Sequence, residues 1–323
     1  MRRLFAGLTV GALLVAASAC GSSGGSGKSG KSPSSGSPTT VKVGIIPILD
    51  VAPLYLGQEK GFFSRNGLKL SLTPAQGGAA IVPGVVSGQF QFGFSNVTSL
   101  MIAQTNGVPV QAIANGVAST GEPGADFGGL AVKKGSPIKS AKDLVGKTVA
   151  TNTLKNINDT AVRESVRKAG GDASKVKFVE LAFDQMPAAL AKGQIDAAMA
   201  VEPALTTIKS QGGTEIAWPY VDVAEHLTIA MYFSSTQYAQ ANPAVVKAFQ
   251  AATAESLAYA NTHPDEVRKA LTTYTKIPAN LLSELTLPQW PAEADRPAIE
   301  TLEKLGEQDG LFKKTPDLDK LLP

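Results

Sequence analysis

Few residues in this chain of 323 could carry covalent chemistry, and they stand far apart. Cys20 is the single cysteine, and His226 and His263 are the two histidines. One thiol forms no internal disulfide, and histidines so separated lack the spacing of a metal signature. His226 opens an apolar strand and His263 falls between two helical stretches, where a histidine is more often structural or solvent-facing than a ligand contact. No serine, histidine and carboxylate stand in a triad-like pattern. Without a nucleophile, a metal set or a poised base, the sequence predicts no catalytic residue, no metal and no cofactor.

Two glycine-rich matches do not change this. Gly25–Ser32 reads G-x-x-x-x-G-K-S, and Gly21–Gly25 reads G-x-S-x-G. Both motifs work only between a strand and a helix, which aim backbone N–H groups or expose the serine. Here low-complexity glycine and serine surround them and Pro33 follows.

Non-covalent chemistry is better provided for. Open parallel sheets hold ligands beyond the carboxyl ends of their strands, where helix N-termini also point. That rule selects Asp50 and Val51 after the first predicted strand and Gln76, Gly77 and Gly78 after the second. Ser95, Asn96 and Thr98 follow the third, and Asn115 the fourth. Further on come Thr151, Asn152, Thr153 and Asn156, then Phe183 and Asp184, then Glu202. Ser95, Asn96, Thr151 and Asp184 are equally the residue types that cap helices. Asp50 is less easily a cap, because Pro53 is placed to begin the helix three residues on. No arginine occurs among these positions, and Lys155 is the nearby cation. A bare anion would rest on helix N-termini, at about 0.3–1 kcal/mol each. Asp50 and Glu202 suit an amine or another N–H donor, so a zwitterion or a neutral heterocycle fits better.

These positions require strands and helices in alternation, and the pattern supplies them. Strands are predicted at 41–47, 68–73, 89–96 and 108–115, with helices at 53–67, 77–88 and 97–107. The pattern restarts with strands at 130–135, 147–152, 175–181 and 194–202 and helices near 155–169 and 184–192. Such alternation indicates an α/β protein with parallel sheets. Residues 86–107 lie against 191–212 without a gap, Phe90, Phe92 and Phe94 falling on Ile195, Ala197 and Met199. A returning strand at 226–235 precedes helices at 243–263, from Pro264, and at 278–286 and 295–307.

The N-terminus concerns location. Arg2 and Arg3 precede an apolar run, Leu4–Ala16, too short to span a bilayer as a helix. Small residues then lead to Cys20, so 1–19 resembles a bacterial lipoprotein signal peptide, with Cys20 as the lipidated residue. Ala17 stands where such signals usually have Leu, and an ordinary secretory signal with an incidental cysteine is the competing reading. Residues 20–40 then form a Gly/Ser linker, expected to be disordered and to reach roughly 25 Å. The net charge of +3 includes Arg2, Arg3, Lys28 and Lys31; without them 26 basic residues face 27 acidic ones, which argues against nucleic acid.

Beyond the signal and the linker, "APLYLGQEKGFF" (52–63), "SGQFQFGFSN" (87–96), "KSAKDLVGKTVATN" (139–152) and "KGQIDAAMAVEPAL" (192–205) occur in order. Together they resemble the substrate-binding lipoproteins of ABC importers, in the nitrate/sulfonate/taurine and thiamine-pyrimidine branch. The resemblance covers nearly all of 41–310. It implies a type II periplasmic-binding-protein fold, with two α/β lobes, a two-segment hinge and a ligand cleft between them. By analogy 41–127 with 236–323 forms lobe 1 and 128–235 lobe 2, with crossings near Ala125–Gly129 and Ser234–Gln237. It further implies a monomer outside the cytoplasm, held to the membrane by its lipid. Such a protein passes a small solute of the sulfonate, taurine, nitrate or nitrogen-heterocycle kind to a permease and its ATPase. Val201 departs from the family pattern, which commonly has Trp before the acidic residue and proline. A sensory or adhesive lipoprotein on the same fold is an alternative. So is a pyrimidine-precursor synthase, although those enzymes carry a cysteine-rich, histidine-bearing site that this chain lacks.

Overall fold

The computed structural model describes residues 37–323; the signal peptide, Cys20 and most of the linker lie outside the described residues. In sequence order the strands are β1 (Thr39–Ile45), β2 (Leu68–Pro74), β3 (Phe92–Asn96), β4 (Val110–Ala118) and β5 (Gly128–Val132). They continue with β6 (Thr148–Thr151), β7 (Lys177–Glu180), β8 (Ala197–Val201), β9 (Thr214–Ala217) and β10 (Thr228–Ser235). The first strand starts inside the expected linker, because Thr39 and Thr40 pair with Leu68 and Lys69 of β2.

Two five-stranded sheets result, ordered β2-β1-β3-β10-β4 and β7-β6-β8-β5-β9. In each, four strands run the same way and one runs against its neighbours: β10 against β3 and β4, β5 against β8 and β9. The expected parallel sheets are therefore mixed, for a geometric reason. Each antiparallel strand is the first to enter its sheet after the chain crosses from the other one. It enters at the carboxyl ends of the parallel strands and must run back between them.

The gapless internal match is structural. β3 and β8 occupy equivalent positions of the match and are buried along their whole lengths. The second crossing differs from expectation. Residues 228–235 belong to the first sheet, so the chain crosses before Thr228 and not at Ser234–Gln237. Three further differences have local causes. The helix expected at 53–67 is two, Ala52–Glu59 and Phe62–Arg65, parted by Gly61 at φ +76°. The stretch 278–286 makes only 3-10 turns, Ala279–Glu284. β9 was not anticipated, being four residues long and half polar.

The helix Pro243–Thr262 covers the first sheet and drives Phe249 into it. The Phe249 ring stacks on Phe92 at 4.1 Å and meets Phe63 and Tyr232 at 5.8 Å. Burial of a ring this size stabilises by about 1.5–3 kcal/mol. In the first crossing, Asp126 accepts hydrogen bonds from the Ser119 hydroxyl and the Thr120 N–H, both at 2.9 Å. Ser119 N–H in turn donates to the Leu227 carbonyl at 2.9 Å, so the crossings run side by side. Gly121 lies where they touch, at φ +82°, and a Cβ there would collide with the Glu225 carbonyl oxygen. Gly121→Val should lower stability by about 1–3 kcal/mol, read as a lower urea midpoint at unchanged slope.

Candidate functional site

The carboxyl ends of β1, β3, β6 and β8 converge on one space between the two sheets. After β1 the chain makes a 3-10 turn, Leu49–Val51, that turns Asp50 inward. Asn96 ends β3, Asn152 follows β6, and Val201 ends β8. Asp50, Asn96, Asn152, Asn158 and Tyr220 give the resulting cavity its polar lining. Ile46, Ile48, Phe94, Ile157 and Phe183 are among its apolar walls. Its volume is about 20 Å³, room for one water-sized group.

The buried polar side-chain atoms of the lining are satisfied one by one, with a single exception. Asn96 caps the helix Val97–Thr105, its side chain accepting from Ser99 N–H at 2.8 Å. The Asn152 side-chain oxygen accepts from the Asn158 amide at 2.9 Å, and the Asn158 oxygen accepts from the Tyr220 hydroxyl at 2.7 Å. Asp50 is the exception. Its side chain is 3% exposed, and Oδ1 has no hydrogen-bond partner. Its main-chain carbonyl accepts from the Trp290 indole N–H at 2.9 Å. Burial pushes the Asp50 carboxyl up to about 7, and the nearby Asp126 charge adds to the effect. No lysine, arginine or histidine lines the cavity.

The two halves touch directly beside the cavity. Gln76 Nε2 donates to the Asn152 carbonyl at 2.8 Å, and Asn152 Nδ2 donates back to the Gln76 carbonyl at 3.2 Å. A Cβ at Gly77 would meet Thr153 Cγ2 at 2.7 Å and Asn152 Nδ2 at 3.0 Å, so only glycine permits this approach. Gly78 packs against Ser95, whose hydroxyl donates to the Asn96 carbonyl at 3.1 Å.

Of the residues predicted from sequence, Asp50, Asn96, Asn152 and Phe183 face the cavity. Val51 is buried in the core. The Thr151 hydroxyl donates to Asp159 at 3.0 Å, and Thr153 is bonded to Asn156, which places both in the support of the loop. Asp184 is exposed, on an outer groove. Asn115 lies elsewhere, its amide donating to the Pro291 and Glu293 carbonyls at 2.8 and 3.0 Å.

Glu202 was expected to meet a ligand, and its carboxylate is instead fully engaged. It accepts from Thr206 N–H at 2.9 Å, the Thr206 hydroxyl at 2.8 Å and Thr286 N–H at 3.2 Å. Burial raises it to about 7 against the pull of those donors. Its work is to cap the helix Ala204–Ser210 and hold the segment at Thr286. Asn158 and Tyr220 were missed. Three asparagines within seven positions, 152, 156 and 158, were a signal for the first; nothing local marks Tyr220. Among the described residues, no three His, Cys, Asp or Glu side chains gather as a metal site would require.

This architecture recurs in known proteins. The alkanesulfonate-binding protein SsuA from Xanthomonas axonopodis pv. citri, solved with MOPS, superposes at a TM-score of 0.73 with 17% identity. The superposition covers 90% of this chain and 99% of that one, and establishes the shared two-lobe fold. The formylaminopyrimidine-binding protein of Halalkalibacterium halodurans is 23% identical over 224 residues, 68% of this chain and 65% of that protein. The taurine-binding periplasmic protein of Escherichia coli K12 is 26% identical over 188 residues, 58% of this chain and 56% of its own length. The chain thus spans less than two thirds of the length of these two relatives. Residues 49–267 match the NMT1/THI5-like family, and the chain belongs to that family.

Proposed function

We propose that the chain is an extracytoplasmic substrate-binding protein of an ABC importer, anchored through a lipid on Cys20. Lobe 1, built on the first sheet, and lobe 2, built on the second, would close on a small organic solute and present it to a permease with its ATPase. Relatives that bind taurine, an alkanesulfonate and a formylaminopyrimidine support a solute of that size. One observation carries the choice of ligand: Asp50 lines a cavity without a cation, and its Oδ1 is buried and unpartnered. A buried acceptor left without a donor costs roughly 1–3 kcal/mol, more when charged. A solute bringing an N–H donor removes that cost. An amine-bearing zwitterion or a nitrogen heterocycle therefore fits, and a bare anion would meet repulsion. The role is one of binding and release, in keeping with relatives that are binding proteins.

Thermal unfolding against taurine, sulfonates, nitrate, thiamine pyrimidines, amines and nucleobases tests this. A ligand at a hundred times its Kd should add about 2.7 kcal/mol of stability, several degrees for a protein of this size. Asp50→Asn should remove that shift for a cationic ligand. A saturable shift by nitrate alone, unaltered in Asp50→Asn, would sink the proposal.

A second expectation concerns the free protein. A carboxyl raised to about 7 binds its proton more tightly folded than unfolded. Its stabilising effect is complete below the unfolded value near 4 and is lost as pH rises through 7. Asp50→Asn should therefore be more stable than the parent at pH 8. The difference should shrink steadily as pH falls from 7 to 4, measured by paired denaturant titrations.

A further inference from the structure

A second space adjoins the cavity. A groove of about 490 Å³ runs between the two halves, and Ile46, Ile48 and Phe183 line both spaces. Its other walls include Pro47, Pro187, Ala188, Pro203 and Ile277. Its charged residues are Asp184 and Lys276, one of each sign and both exposed. Tyr274 forms one side, fixed by stacking on Tyr55 at 3.9 Å and by donating its hydroxyl to the Ile48 carbonyl at 3.0 Å. The groove falls within the size range of small-molecule pockets, roughly 300–1,000 Å³.

The two spaces select for different chemistry. The cavity, with about 20 Å³ of free space, has room for a small head group such as a primary ammonium. Among the buried polar side-chain atoms of its lining, the one unmet demand is for a donor at Asp50 Oδ1. The groove makes no such demand and offers mainly carbon. We propose that the ligand is an elongated primary amine, with its ammonium against Asp50 and an alkyl or aryl body passing Phe183 into the groove. The inference rests on Asp50 being the ligand contact proposed above and adds the shape and polarity of what is attached.

The test is calorimetric titration of the full chain with ethylamine, butylamine, hexylamine and phenethylamine, with hexanol and hexanesulfonate as controls. Affinity should rise about fourfold per added methylene, as expected for burying CH₂ groups, until the groove is filled. Neither control should bind comparably. Ala188→Trp places a ring in the groove from an exposed position, so folding should be retained. It should flatten the series and leave ethylamine unchanged, whereas Asp50→Asn should weaken every amine. Equal affinity across the series, or an unaltered series in Ala188→Trp, would overturn the groove's role while leaving Asp50 as a contact. Binding by no amine overturns this inference as well. If Asp50→Asn alters the affinity of no ligand, the Asp50 reading itself fails.

Discussion

Strand β10 sits inside the first sheet, hydrogen bonded to β3 on one side and β4 on the other, yet the chain reaches it only after building the whole second sheet. The second sheet is therefore an insertion, held at both ends by a neighbour that cannot be completed without it. Two crossings follow of necessity, and they lie side by side because Ser119 bonds to Leu227. Both enter at the carboxyl ends of parallel strands, where α/β sheets expose N–H groups and short loops. The cleft is thus placed by connectivity before any side chain is chosen. The side chains then decide what the cleft will hold.

Two buried carboxylates show how differently the same group can be used. Glu202 receives three donors, and its charge is spent on structure. Asp50 receives none on Oδ1 and faces an apolar wall on most sides. Desolvation raises both to about 7. The two carboxylates differ in whether their donors are built in. Natural proteins tolerate an unmet group of this kind where function requires it.

Periodicity made the alternating elements readable, and the match of 86–107 to 191–212 located β3 and β8 correctly. It could not say which sheet 228–235 would join, since a strand's neighbours lie a hundred residues away and leave no local mark. Residue type was similarly half informative at the cleft. Glycine at 77 and 78 does mark a close approach, and asparagine at 96 and 152 does face the cavity. Glu202 could not be told from Asp50, because the donors that saturate it come from Thr206 and from Thr286, the latter 84 positions on. Tyr220 reaches the cavity from a short helix, Pro219–Val223, that has no strand-end signature at all.

The chain has two tryptophans, and their positions make the protein its own optical instrument. Trp290 is buried and bonded to the carbonyl of Asp50, so its emission depends on the turn that carries the unpaired carboxylate. Trp218 lies by Gly124, in the first crossing, with its indole nitrogen buried and unbonded. One fluorophore thus watches the cavity and the other the connection between the halves. Replacing either with phenylalanine would separate two signals that otherwise overlap, and occupancy and closure could then be timed independently, without a label.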